Sequence, residues 1–247
     1  MSVGAVITAA ALPVLTLKNI AAGYAGRPCV VQLDNLSVEG GEVLALLGPS
    51  GVGKSTALNA IAGTLKDASG TFLIDGQEKH PNERVRLVAR TLQSFPLFHW
   101  LTVKQNLALA ARVRGVPLSK PQEVLKAFRA EHLLERMPHE LSGGERCRAS
   151  LAQAVVSRPR VLLLDEPFAG LDSWVKHDVA ESLFTFARTS NAGVLFVTHD
   201  LHDACEYASR AAVLASRNPA TIVEEVRVAD PAAIDRIRNL LAEQASS

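Results

Sequence analysis

The run Gly48-Pro49-Ser50-Gly51-Val52-Gly53-Lys54-Ser55-Thr56 constrains this chain more than any other stretch. It fits GxxxxGK[ST], follows the short apolar run Glu42 to Leu47, and leads into Gly53 to Leu65, where Leu58 and Ile61 share a helical face. An apolar run that ends at a glycine-rich loop reads as a buried parallel strand. Strand, loop and helix in that order form an anion cradle. The glycines let the backbone curl close to phosphate oxygens, and the loop N–H groups and the helix N-terminus face the charge. Lys54 supplies a point charge to β- and γ-phosphates, Ser55 a hydroxyl to Mg²⁺, and Thr56 reaches a further phosphate oxygen. Taken alone, the loop specifies a nucleoside triphosphate and nothing narrower.

The rest of the chain supplies a sheet for that loop. Val14 to Ile20 and Cys29 to Val38 alternate and carry β-branched residues, the pattern of early antiparallel strands. Thr71 to Ile74 and Val85 to Thr91 read as strands, the second leading to Gln93. From Phe95 to Val156 the pattern turns helical, over Val103 to Arg114, Pro121 to Leu134 and Glu145 to Val156, with breaks at Gly115, Pro117 and Pro138. Strand Arg160 to Asp165, helix 173–189, strand 193–197, helix 200–208 and strand 211–215 then restore the alternation. The predicted fold class is α/β: a phosphate-loop core with a mostly parallel sheet, an antiparallel N-terminal β subdomain and an inserted α-helical subdomain. The expected layout is a core with its β subdomain over 14–94 and 157–228, a helical subdomain over 95–156, and a C-terminal helix or tail over 229–247 that frays from Ala242.

Composition narrows the partners. A net charge of +1 over 247 residues argues against a surface that coats nucleic acid. Cys29, Cys147 and Cys205 lie far apart without a CxxC, as expected for free thiols in a reducing cytosol. The apolar stretch Val3 to Leu17 is too short to span a bilayer, and no basic residues precede it as a signal peptide would require. The chain therefore reads as cytosolic, and a membrane role would come through other subunits.

Four further places can carry chemistry. Asp165 ends an apolar strand, at the carboxyl edge where α/β sheets bind ligands, and is expected to partner Mg²⁺ directly or through water. Glu166 follows at once and is the expected general base for water attacking the γ-phosphate. Gln93 follows a strand and opens the helical insert, so its amide can sense Mg²⁺ or the attacking water. His199 follows strand 193–197 and can donate to the γ-phosphate. Ser142-Gly143-Gly144 precedes the helix from Glu145, where a serine cap and exposed N–H groups make a second anion site. The same residues also make a good plain helix cap.

In order and spacing, the phosphate loop, Gln93, Leu141-Ser142-Gly143-Gly144-Glu145, Val161-Leu162-Leu163-Leu164-Asp165-Glu166-Pro167 and His199 resemble the ATP-binding subunit of ABC transporters, from Val14 to Val228. The resemblance implies a head-to-tail pair of subunits. ATP would lie between the phosphate loop of one and Ser142 to Gly144 of the other, with Mg²⁺ held by Ser55, Gln93 and Asp165. Tyr24 matches the aromatic that stacks on adenine, and Asp172 in Ala169-Gly170-Leu171-Asp172 matches the loop that crosses the interface. The expected partners are permease subunits and an extracytoplasmic binding protein, with the chain peripheral at the cytoplasmic face. No [NT]KxD guanine-reading motif is present, Val175-Lys176-His177-Asp178 being a near miss inside a helix, so ATP is expected rather than GTP.

Within the family, Leu92 to Asn106 and Leu214 to Ile222 resemble the importers of nitrate, sulfonates and taurine. There the first segment docks on the permease, which here would offer Phe95, Leu97, Phe98 and Trp100, residues that can equally pack the insert's core. The chain departs from the family at Glu145-Arg146-Cys147-Arg148, where Gln or Met and then Arg/Lys-Gln-Arg is usual, and at Gln153, where arginine is common. These departures leave room for a nucleotide-dependent regulatory module that barely hydrolyses ATP. The same motifs would also serve the ATPase of an exporter or lipid-moving complex, or a soluble ABC ATPase.

Overall fold

A computed structural model describes residues 13–26, 29–91, 96–117 and 120–245. Gln93, with Leu92, Ser94 and Phe95, lies outside the described residues, as do residues 3–12 of the early apolar stretch.

In chain order the elements are β1 Leu15–Ala22, β2 Val31–Val38, β3 Val43–Leu47, α1 Lys54–Ala62, β4 Ala68–Ile74, β5 Gln77–Glu78, α2 Pro81–Leu87 and β6 Val88–Thr91. They continue with α3 Val103–Val113, α4 Pro121–Lys126, α5 Gly143–Val155, β7 Val161–Asp165, α6 Ser173–Ser190, β8 Gly193–Thr198, α7 Leu201–Tyr207, β9 Arg210–Ala215, β10 Ala220–Arg227 and α8 Pro231–Ala245. The ten strands form one sheet in the order β5-β4-β1-β2-β10-β9-β3-β8-β7-β6. β9, β3, β8, β7 and β6 run parallel, and β2, β1, β4 and β5 pair antiparallel. β10 joins the two regions, parallel to β2 at Ala220 and Thr221 and antiparallel to β9.

The parallel strands are buried on both sides, which is why they read as continuous apolar runs. Successive side chains of a strand point to opposite faces. Leu44, Leu46, Val161, Leu163, Leu195 and Val197 therefore join α1 and the antiparallel strands in one core. Val43, Ala45, Leu47, Leu162, Leu164, Val194 and Phe196 join α3, α5, α6 and α7 in the other. Each such Val, Leu or Phe side chain contributes roughly 1.5–3 kcal/mol by leaving water. The two cores clamp the sheet, so the loops at its carboxyl edge start from fixed points.

Several sequence expectations need correction. Val85 to Leu87 is not strand but the end of α2. Pro81 fits the first turn, and the Glu83 carboxylate accepts from the His80 N–H at 3.0 Å. Arg84 anchors this helix, donating to the Ala60 carbonyl at 2.6 Å with its guanidinium 3.7 Å from the Phe72 ring centre. Burial moves that guanidinium down to about 10. The helix expected from Pro121 to Leu134 ends at Lys126, and Arg129 in the left-handed region (φ 53°) separates it from a 3-10 turn at Glu131–Leu133. The short strand β5 and most of β10 have no counterpart among the strands expected from sequence. The tail expected to fray stays helical through Ala245. Among the described residues no helix is long and apolar enough to cross a membrane.

Candidate functional site

The phosphate loop leaves β3 at Gly48 and enters α1 at Lys54. A Cβ on Gly48 would lie 2.7 Å from the Leu214 carbonyl oxygen and 3.0 Å from Val52 Cγ1. Gly53 takes φ 117°, a left-handed geometry that lets the helix start at Lys54. Lys54 is 6% exposed and donates to the carbonyls of Gly48 at 2.7 Å and Pro49 at 2.9 Å. Burial pulls its ammonium below the usual lysine range, against the opposing pull of the Glu166 and Asp165 carboxylates. Because the atom facing Gly48 is backbone, Gly48→Ala is expected to displace the loop. The variant should lose about 1–3 kcal/mol of stability in urea unfolding and most of its affinity for a fluorescent ATP analogue.

The Ser55 hydroxyl donates to Asp165 Oδ1 at 3.2 Å. A hydroxyl and a carboxylate beside a phosphate loop are hard oxygen donors. They suit Mg²⁺, which keeps several waters and takes one or two protein oxygens together with substrate phosphates. Among the described residues no group of three or more His, Cys, Asp or Glu could hold a metal. One hydroxyl and one carboxylate leave the other positions around such a cation to water and phosphate oxygens.

Glu166 sits in the left-handed region at φ 47°, its N–H bonded to the Val197 carbonyl at 3.1 Å. That backbone costs a non-glycine residue on the order of 1–3 kcal/mol and turns the side chain off the end of β7. Its Oε1 lies 3.1 Å from Nδ1 of His199, just beyond β8. The pair borders a cleft of about 210 Å³ with Gly170, Thr198 and Asp200.

Tyr24, exposed after β1, lines a cleft of about 580 Å³ with Lys66 and Asp67. Ser50, Gly51 and Val52 border another of about 560 Å³, with Val30 and Arg217. Thr56 is buried within α1. Two residues that no sequence motif marks join these parts. Asn59 Nδ2 lies 3.5 Å from the Tyr24 hydroxyl, and Asn59 Oδ1 accepts from Arg90 Nη1. Arg90 Nη2 is 2.8 Å from Asp165 Oδ2. One signal for Arg90 was available: an arginine inside the short strand Val88-Ala89-Arg90-Thr91 that leads to Gln93.

Ser142 caps α5 reciprocally with Glu145. The serine N–H donates to Glu145 Oε2 at 2.8 Å, and the Glu145 N–H donates to Ser142 Oγ at 3.3 Å. These bonds hold the Glu145 carboxyl below its usual range. Gly144 lets α5 close on α6, since a Cβ there would meet Val175 Cγ1 at 2.6 Å. Asp172 is exposed and precedes α6, accepting the Lys176 N–H at its carbonyl at 2.9 Å. Among the described residues no hydrogen bond or ion pair joins Ser142 to Gly144, or Asp172, to residues 48–56. The fold gathers Lys54, Ser55, Asp165, Glu166 and His199, while Ser142, Gly143 and Asp172 are exposed.

The unusual residues after Gly144 have structural work. Cys147 is fully buried, and burial pushes its thiol up to about 12, so it is unreactive. Its Sγ lies 3.7 Å from the Pro167 carbonyl. Arg148 pairs with Asp178 and donates to the Phe128 carbonyl at 3.1 Å. Gln153 borders a groove of about 510 Å³ with Phe98, Val113 and Arg114. Of the aromatic segment, Leu97 packs on the core while Phe98 and Trp100 are exposed, their ring centres 5.2 Å apart.

Known proteins similar to this chain bear on its family and fold. The ABC transporter family profile matches residues 31–169. The spermidine/putrescine import ATP-binding protein of Vibrio cholerae is 38% identical over 83% of this chain and 55% of its own. The sulfate/thiosulfate import ATP-binding protein of Synechocystis is 40% identical over 74% of this chain and 53% of its own. The chain thus spans about half the length of the curated relatives it matches. A solved ATP-binding subunit of an ABC transporter is 27% identical, with a TM-score of 0.74 over 94% of this chain and 96% of that one. The cbiO1 subunit from Clostridium perfringens is 25% identical, with a TM-score of 0.79 over the same shares.

Proposed function

We propose, because the chain belongs to the ABC transporter family, that it is the subunit that binds and hydrolyses ATP to energise a membrane importer. The observation that carries this reading is the cluster at the sheet's carboxyl edge. Lys54 leads out of the phosphate loop, Ser55 lies 3.2 Å from Asp165, and Glu166 lies 3.1 Å from His199. The β- and γ-phosphates take the loop N–H cradle, with Lys54 exchanging the Gly48 and Pro49 carbonyls for phosphate oxygens. Tyr24 stacks on adenine. Ser55, Asp165 and Gln93 hold Mg²⁺, which when bound neutralises phosphate charge. Glu166 takes the proton of the attacking water, and His199 donates to the γ-phosphate. Phosphoryl transfer needs little more from a protein than this positioning and charge neutralisation.

The exposure of Ser142, Gly143 and Asp172 supports a head-to-tail pair in which each chain completes the other's nucleotide site. Exposed Phe98 and Trp100 support a permease docking surface beside the Gln93 segment. The accompanying proposals are a peripheral position at the cytoplasmic face, an extracytoplasmic binding protein, and the layout 14–94 with 157–228, 95–156 and 229–247. For the cargo, Leu92 to Asn106 and Leu214 to Ile222 favour the nitrate, sulfonate and taurine group.

The test is a pull-down of tagged Glu166→Gln protein, with ATP and Mg²⁺, from detergent-solubilised membranes of the native host. A multi-span permease is the expected partner, and its binding protein leads to the cargo. Recovery of soluble proteins or ribosomes alone would overturn the transport role and leave the ATP chemistry standing.

A further inference from the structure

We infer that Arg90 is a positioning residue that makes cation binding at Ser55 and Asp165 conditional on nucleotide. The inference rests on the Mg²⁺–ATP reading of the same site. Both oxygens of Asp165 are engaged: Oδ1 accepts from Ser55 at 3.2 Å, and Oδ2 pairs with Arg90 at 2.8 Å. The carboxylate already has a countercharge, so a divalent cation has to share it with a guanidinium.

The guanidinium brings a delocalised positive charge to this point. It is also held in place. Its strand is paired to β7, with Arg90 opposite Leu163, and its Nη1 donates to Asn59. The Arg90 and Asp165 side chains are only 16% and 13% exposed, so solvent screens the repulsion between two cations less than it would at the surface. A triphosphate changes the balance by bringing several negative charges to the same point. The cation is then held between phosphate and protein, and Arg90 retains Asp165 in the orientation that meets it. A hydroxyl and a carboxylate without this guanidinium would form a more attractive site for free divalent cation. Asn59, which orients Arg90, also lies 3.5 Å from the Tyr24 hydroxyl, so the device touches the adenine side of the site.

The experiment titrates Mn²⁺ into the full, nucleotide-free chain and follows the free-ion signal by electron paramagnetic resonance. Arg90→Gln is expected to bind Mn²⁺ about tenfold tighter than wild type, a gain of about 1.4 kcal/mol. Arg90→Lys, which keeps the charge, should stay near wild type, and adding Asp165→Asn to Arg90→Gln should remove the gain. If Arg90→Gln does not fold, as judged by circular dichroism, Arg90→Met removes the same charge and gives the same reading. Equal Mn²⁺ affinity in wild type and the neutral variant would reduce Arg90 to a strand-to-strand ion pair and overturn the inference. So would a gain in Arg90→Lys as large as in Arg90→Gln. A parallel Mg²⁺–ATP titration of wild type separates the two readings. Nucleotide binding with no Mn²⁺ effect sinks only the role of Arg90, whereas no nucleotide binding sinks the ATP reading as well.

Discussion

Glu166→Gln is expected to bind ATP as wild type does and to turn it over more slowly by a factor of about 10²–10⁴, the range a positioned general base supplies. The substitution keeps the local backbone and shape. Glutamine has nearly the same shape, and the left-handed backbone at φ 47° and the N–H bond to Val197 belong to the main chain. The amide can also keep a hydrogen bond to His199 Nδ1, now 3.1 Å from the carboxylate. What it cannot do is accept a proton from water at neutral pH. The loss therefore falls on the chemical step, and the variant should accumulate in the ATP-bound state. Phosphate release by the assembled complex, measured beside equilibrium nucleotide binding, separates the two. Release at the wild-type rate would remove Glu166 from the role of base and leave His199 or water relayed by Gln93 to be tried.

Legibility follows the reach of the physical signal. β3, β7 and β8 are buried on both faces, so each stands out as an unbroken apolar run, and the residues at their carboxyl ends become candidates at once. The phosphate loop declares itself because its glycines answer local needs, such as the Leu214 carbonyl 2.7 Å from a Cβ on Gly48. α2 escapes a sequence pattern because Val85, Leu87 and Val88 mimic a strand while the helix is set by Pro81, the Glu83 cap and buried Arg84. β10 is largely hidden because one side of it is polar and partly exposed, and its role as bridge depends on two distant strands. Arg90 and Asn59 fall outside the motifs. Their importance comes from pairing across 75 and 31 residues of sequence, which no local pattern records. Glu145, Cys147 and Arg148 read from sequence as departures near a nucleotide. In the structure Glu145 caps a helix, Cys147 fills the core and Arg148 pairs with Asp178.

Lys54→Met is expected to lose nucleotide affinity without losing the fold. Hydrogen bonds to charged groups contribute about 1.5–3 kcal/mol each, so one lost phosphate contact lowers affinity by roughly one to two orders of magnitude. Turnover falls further, because the same charge opposes the build-up on the transferring phosphoryl group. Stability should move the other way. Lys54 is 6% exposed, and its pKa is lowered chiefly by burial, so the folded state disfavours the charged form that the unfolded chain carries freely. Between the lowered folded value and the ordinary 10.5, the unfolded state binds more protons than the folded one. Nucleotide-free wild type therefore gains stability as pH rises through that window. Methionine has no charge to desolvate, so the variant should show no such rise and be at least as stable as wild type near neutral pH. Urea unfolding from about pH 7 to 10.5 checks the sign. A wild-type curve that falls across the window, or a methionine variant that unfolds at neutral pH, would mean that the two carbonyl bonds outweigh burial and that Lys54 braces the empty loop. The expected outcome puts the cost of the buried charge in the free protein and its return in the bound one, where phosphate supplies the partner that the loop carbonyls only approximate.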